Sequence, residues 1–343
     1  MIGRSTASSR HRRSISVKPP LHTVSAGGLL MNRHDIDWRG YFAALPTPFT
    51  AQGDLDLDAF SATVRLFVTQ GAHGLLVNGS TGEWAAQSTE ERKRLAETAV
   101  SAAAGQVPVI IAVTHAQPAD AVELARHAEA SGADAIMVPP PPAVRPTPTE
   151  LHAYITEVAA STGLPCWLYN FPQENGTRLT VAQISELVQL PNVVAIKQSV
   201  ADDSELQATI EAVGDTTLVF GNMLSRHGLA AIAGGHGGDG HFGSGMPLGS
   251  RMPRFFDLAW KGDLEEAGRI ADDFAAFMDR LKGQDHDGYN WRYGGMQASL
   301  KAVMNLQGQP GGYPRRPKLP ISDPDALQEI ARALTQFGLP VVD

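Results

Sequence analysis

From Tyr41 onward the chain alternates short β-branched or apolar runs with longer segments whose apolar residues recur every three or four positions, and the pair repeats at roughly 30-residue intervals. The strand candidates are "YFAALPTPF", "GLLVNGS", "VPVIIAVTH", "DAIMVPP", "PCWLYNF", "VVAIKQS", "TTLVFGN" and "GDGHFGS". Amphipathic stretches such as "LDAFSATVRLFVTQ" and "ADAVELARHAEAS" lie between them. Capping signals open two of these helices: Ser88 or Thr89 before "EERKRL", and Thr180 before "VAQISEL". Strands that alternate with helices pair in parallel, because each crossover helix must pack back onto the sheet. Eight such units can close on themselves, and ~250 residues is the usual length. The pattern therefore predicts an α/β fold, a (β/α)8 TIM barrel over residues 38–262. A C-terminal helical extension follows over 263–343, carrying "LEEAGRIADDFAAFMDRLK", "GMQASLKAVMNLQG" and "DALQEIARALTQFG". The competing architecture is a doubly wound open sheet. It is disfavoured because "ALPTPFTAQGD" stands where a glycine-rich phosphate loop would follow the first strand.

Composition narrows the function classes. Of 343 residues, 43% are hydrophobic and 19% charged, a balance that supports a large buried core. One cysteine, Cys166, excludes an intramolecular disulfide framework and fits a reducing, cytoplasmic setting. No apolar run approaches the ~20 residues of a membrane helix, so a soluble chain without a membrane partner is expected. The formal net charge is −8, and the basic residues Arg4, Arg10, Arg12, Arg13 and Lys18 crowd into a serine-rich leader with no acid. The rest is thus more acidic still, which argues against a nucleic-acid partner. The leader has the composition of a transit peptide, but Met31 directly precedes a strand-like segment, as an over-extended start would leave it. Residues 1–37 are expected to be a basic, disordered extension.

Active sites of parallel barrels form at the C-terminal ends of the strands. In "PNVVAIKQSV" a β-branched run is broken by Lys197, a costly residue to bury. Lys197 can snorkel to the rim and meet Asp202 or Asp203. Tyr169, ending another strand, can be a plain core aromatic. "GSTGE" can be a turn that sets Glu83 near a helix dipole. Taken together, however, the three make chemical sense. A desolvated lysine attacks a ketone to form a Schiff base, and a phenol moves protons. The hydroxyls and unhindered amides of Gly79, Ser80, Thr81 and Gly82 cradle a carboxylate. A divalent metal on His236, Asp239 and His241 is the rival chemistry; their spacing fits no metal signature, and no metal or cofactor is expected.

"GSTGE" at 79–83, "YNFP" at 169–172 and "AIKQS" at 195–199 together resemble the dihydrodipicolinate synthase / N-acetylneuraminate lyase family of class I aldolases. "ALPTPF" at 44–49 and "GGYPRRPKLPI" extend the likeness from about Tyr41 to Leu319. The resemblance implies that Lys197 is the Schiff-base lysine and Tyr169 the proton relay. Ser80, Thr81 and Gly79 would hold the carboxylate of pyruvate or another 2-oxo acid, with Thr81 also counted among the catalytic groups. Phe242 and Gly243, in the glycine-rich stretch 234–245, would line the site beside the lysine. It further implies a homo-oligomer, dimer or tetramer, and no cofactor.

Three departures bear on substrate. Glu174 stands where the synthases carry an arginine, with Arg178 four residues on as a possible substitute. Pro141 and Pro142 replace a tyrosine pair. Asn222, Met223 and Leu224 occupy the place where the lyases use acidic residues. The expectation is a lyase, aldolase or dehydratase acting on a 2-keto-3-deoxy sugar acid. The alternatives are 4-hydroxy-tetrahydrodipicolinate synthase proper, N-acetylneuraminate lyase, or a keto-acid-binding barrel without turnover.

Overall fold

The computed structural model describes residues 30–235, 237–283 and 285–342. Eight parallel strands close into a barrel in sequence order, with the first also paired to the last. They are β1 (Gly40–Ala44), β2 (Gly74–Val77), β3 (Val109–Ala112), β4 (Ala135–Val138), β5 (Cys166–Asn170), β6 (Val193–Gln198), β7 (Leu218–Phe220) and β8 (Gly240–Ser244). The helices between them are α1 (Leu57–Thr69), α2 (Thr89–Ala103), α3 (Pro118–Ala130), α4 (Pro148–Ala159), the single turn α5 (Pro172–Asn175), α6 (Val181–Leu187), α7 (Asp203–Val213) and α8 (Arg226–Gly234). After the barrel come α9 (Arg251–Lys261), α10 (Leu264–Lys282), α11 (Tyr289–Arg292), α12 (Met296–Leu306) and α13 (Pro324–Gln336). The closed barrel with appended helices is the architecture the alternating pattern predicts.

The expected caps form. Ser88 accepts from the Glu91 amide while the Glu91 carboxylate accepts from the Ser88 amide, and Thr180 and Gln183 make the same reciprocal pair. Thr147 and Glu150 do likewise at α4, behind Pro148 in the first turn.

Side chains alternate between two cores. Outward-facing residues such as Tyr41, Leu75, Ile111, Ile136, Leu168 and Ile196 pack under the helices. Inward-facing residues fill the barrel, and there the packing is aromatic. Trp167 meets Phe220 edge-on at 4.8 Å and Phe242 at 5.1 Å, and Phe42 meets Phe220 at 5.0 Å. Trp38 stacks on Trp167 from the N-terminal end, 6.1 Å between centroids. The segment leading into Trp38 is tied across that end. The Met31 amide donates to Pro191 O and the Arg33 amide to Thr216 O, both at 2.8 Å, and the Arg33 guanidinium meets Asp239 at 2.6 Å. The basic leader, residues 1–29, lies outside the described residues. Among the described residues no helix is long and apolar enough to cross a membrane.

Barrel closure needs a bare backbone at one place. A Cβ on Gly240 would lie 2.1 Å from Gly40 O and 2.5 Å from the Phe220 ring. Backbone cannot yield as a flexible side chain does, so Gly240→Ala is expected to cost about 1–3 kcal/mol in chemical denaturation. A change within about 0.5 kcal/mol would contradict this packing.

Candidate active site

The register between β5 and β6 sets the site. Tyr169 pairs with Lys197 at the C-terminal ends of adjacent strands, and both side chains point into the barrel mouth. Lys197 Nζ sits over the Tyr169 ring, 4.1 Å from its centroid, and 5.2 Å from that of Phe242. Lys197 keeps part of its surface open at the mouth, but its nitrogen is surrounded by these rings. Desolvation pushes its pKa down to about 8, while the Glu174 carboxylate works in the opposite direction. Neither Asp202 nor Asp203 serves as its partner: Asp202 caps α7 through the Ser204 amide at 2.8 Å. Tyr169 is moved the other way. Burial, aided by Glu174, raises the phenol pKa, and hydrogen bonds from Ser80 and Ser199 oppose that rise.

The carboxylate-cradle candidates lie opposite the lysine. Ser80–Gly82 form one 3-10 turn between Asn78 and Glu83, whose left-handed φ values are 59° and 62°. Gly82 admits the close approach of the chain just past β1, since a Cβ there would come 3.1 Å from Leu45 O. Thr81 Oγ1 donates to Ser244 Oγ at 3.2 Å, which joins the β2 turn to the end of β8. Ser80, Thr81, Tyr169 and Lys197 are therefore brought to one mouth, with Gly79 opening the turn. Glu83 is not near the dipole of α2, which Ser88 caps. Its side chain is fully buried against Lys301.

Of the β8 pair, Phe242 lies beside the lysine, and the face of Gly243 that would carry a side chain turns the other way. A Cβ on Gly243 would fall 1.6 Å from Tyr41 Oη, in the layer outside the barrel, where that phenol donates to Gly245 O at 2.7 Å. Gly243 is bare to admit Tyr41. Of the metal trio, the two described members, Asp239 and His241, do not converge. Asp239 sits at the N-terminal end of β8, bound to Arg33 and to the Val219 amide at 2.8 Å. His241 faces outward, stacked on Tyr41 at 5.8 Å and edge-on to Phe274 at 5.6 Å, and burial pushes its pKa down to about 3. His236 lies outside the described residues. Among the described residues no three His, Cys, Asp or Glu side chains gather as metal ligands.

The substrate-departure residues sort themselves by place. Glu174 is exposed in α5, just past Tyr169, and its charge acts on both Lys197 and Tyr169. Arg178 does not neutralise it, because that guanidinium pairs with Glu205 of α7. Pro141 and Pro142 lie in the β4–α4 loop and supply no hydroxyl. Met223 and Leu224 are buried under the helices, and Asn222 Nδ2 donates to Val200 O at 3.2 Å. Ser199 and Ser244 went unremarked in the sequence, although each lies two residues beyond a mouth-facing side chain, the strand period that puts it on the same face.

The model of the dihydrodipicolinate synthetase family matches residues 37–337. The 4-hydroxy-tetrahydrodipicolinate synthase of Bradyrhizobium diazoefficiens is 30% identical over 305 residues, covering 88% of this chain and 97% of that one. A prophage protein of the dihydrodipicolinic acid synthase family from E. coli K12, solved in complex with pyruvate, superposes with a TM-score of 0.77 at 25% identity over 88% of this chain and 99% of its own. CdNal from Clostridium difficile, solved with mannosamine, gives 0.76 at 25% identity over 87% of this chain and 99% of its own. On the matched span, the relatives' full-length coverage and the shared barrel, this chain belongs to the dihydrodipicolinate synthetase family and is a lyase.

Proposed function

We propose that Lys197 forms a Schiff base with the ketone of pyruvate or a pyruvate-derived 2-oxo acid, and that the enzyme cleaves or dehydrates a 2-keto-3-deoxy sugar acid through it. The observation that carries this reading is an amine 4.1 Å above the Tyr169 ring with its pKa near 8. At pH 7 about one such amine in ten is neutral, ~300-fold more than for a lysine at 10.5. The neutral nitrogen adds to C2, two protons pass from nitrogen to the former carbonyl oxygen, and water departs as the imine forms. Protonated, the imine draws the electron pair of the C3–C4 bond toward nitrogen. As that bond breaks, the C4 hydroxyl gives up its proton and an aldehyde leaves. The enamine then takes a proton at C3, and hydrolysis returns pyruvate and the free lysine. In dehydration a proton leaves C3 to give the enamine, whose electron pair then expels the C4 hydroxyl, and that hydroxyl departs as water on taking up a proton.

Tyr169 suits these transfers: its raised pKa keeps it protonated, and the Ser80 and Ser199 hydroxyls stand at its oxygen. Ser80 and Thr81 would hold the substrate carboxylate, which fixes C2 opposite Lys197. Pyruvate bound to the E. coli relative supports the 2-oxo acid half. Exposed Glu174, with no cation paired to it by Arg178, disfavours an anionic second fragment and supports a hydroxylated one. Mannosamine bound to the C. difficile protein is in keeping with that. The synthase reaction itself is the second reading, favoured by the names of relatives such as the Bradyrhizobium enzyme. A homo-oligomer in the cytoplasm completes the proposal, supported by the family resemblance and the lone cysteine.

Borohydride reduction in the presence of pyruvate is expected to leave one reduced pyruvyl group on Lys197 by peptide mapping, and none on Lys197→Ala. Wild-type protein that stays unmodified would overturn the imine. Glu174→Arg is expected to raise kcat/KM for an anionic aldehyde acceptor about tenfold or more relative to a neutral one. An unchanged ratio would remove Glu174 from the specificity argument.

A further inference from the structure

We infer that Gln297 and Lys301 of α12 are positioning residues of the active site, holding the Ser80–Glu83 turn in the shape that receives the substrate carboxylate. The inference rests on the Schiff-base reading above and adds to it a role for the helices after the barrel. Its starting point is strain. The turn is bracketed by two non-glycine residues in the left-handed region, Asn78 and Glu83. Such conformations cost of order 1 kcal/mol each and persist only where surrounding contacts over-determine them.

Asn78 is held by its Nδ2 bond to Arg92 O at 3.0 Å, and α12 holds the turn that follows. Gln297 Nε2 donates to Ser80 O at 3.0 Å. One helical turn later on the same face, Lys301 Nζ meets Glu83 Oε1 at 2.5 Å, and it also donates to Thr47 O at 2.6 Å and to Tyr313 O at 2.8 Å. The second Glu83 oxygen accepts from the Arg315 amide at 3.0 Å. Both charged side chains are shut off from solvent, 1% and 0% exposed, and all three Lys301 donors are used. One helix face thus grips both ends of the turn, while Gln87 Nε2 holds its middle through Gly82 O at 2.6 Å.

Stability alone is a poor reason for such a pair, since burying two charges costs several kcal/mol per ion and an apolar pair of similar volume is often no worse. What the pair supplies is position. Ser80 carries one of the two hydrogen bonds to the Tyr169 phenol, and Thr81 Oγ1 is fixed to Ser244. A turn that shifts would lose its alignment with both, while Lys197, on β6, would stay in place.

The test separates carboxylate binding from amine chemistry. Borohydride inactivation of the full chain is followed as a function of pyruvate concentration for wild type, Gln297→Glu, Gln297→Ala and Lys301→Met, with thermal unfolding measured on each. Gln297→Glu keeps the size and removes the donor. The expected result is a half-saturating pyruvate concentration raised about tenfold in both Gln297 variants, with the limiting rate within about twofold of wild type and unfolding little changed. Lys301→Met should shift in the same sense, and if it fails to fold the Gln297 variants decide the matter. Wild-type half-saturation in the Gln297 variants overturns the inference alone. A limiting rate that falls with unchanged half-saturation overturns it as well, because the helix would then act on the lysine. If wild type itself yields no adduct, the Schiff-base reading fails and the inference falls with it.

Discussion

A primary amine held among aromatic rings at the mouth of a parallel barrel is the constraint on which the site depends. The rings of Tyr169 and Phe242 offer Lys197 no hydrogen-bond acceptor comparable to water, so its ammonium form is penalised there. The sign of the linkage follows from this. The folded-state pKa, about 8, lies below the ordinary 10.5, so the folded protein binds fewer protons on this group than the unfolded chain between those values. The cost of burying Lys197 is fully present below pH 8 and fades as pH rises through that window. The protein therefore carries a destabilisation at neutral pH from burying this amine, while the aromatic packing beneath, from Phe42 to Trp167, keeps the floor of the site rigid.

Much of this was legible in the sequence because it is written in local periodicity. Strand–helix alternation survives in the closed order of β1 to β8, and the chemistry-bearing residues stood where β-branched runs end. What could not be read depended on which face a residue presents in a short, glycine-rich strand. Phe242 and Gly243 are neighbours in "GHFGS", yet one faces the lysine and the other makes room for Tyr41. The same ambiguity let Asp239 and His241 look like metal ligands when they sit at the far end and on the outer face of β8. Long-range pairs were also invisible. Nothing near "GSTGE" announces that Glu83 will find its cation at Lys301, a residue lying inside the apolar run "SLKAVM".

Under the proposed function, substrate choice would fall to a second set of residues, outside the shared chemistry. The lysine, the phenol and the serine–threonine turn would then meet only the 2-oxo acid end of a substrate. Glu174 is exposed in α5, and Pro141 and Pro142 lie in the β4–α4 loop, so the cation and the hydroxyls expected of a synthase are missing from these positions. A barrel tolerates such change because these residues sit in loops after the strands, outside the packed layers.

The central claim is that Lys197 is a low-pKa amine before any substrate arrives. Selective isotope labelling of lysine side chains, with Lys197 assigned by its absence from Lys197→Arg, allows its titration to be followed in the substrate-free protein. The account predicts a midpoint near 8. A midpoint near the ordinary lysine value of 10.5 would show the amine to be as well solvated as a surface residue, and would contradict it.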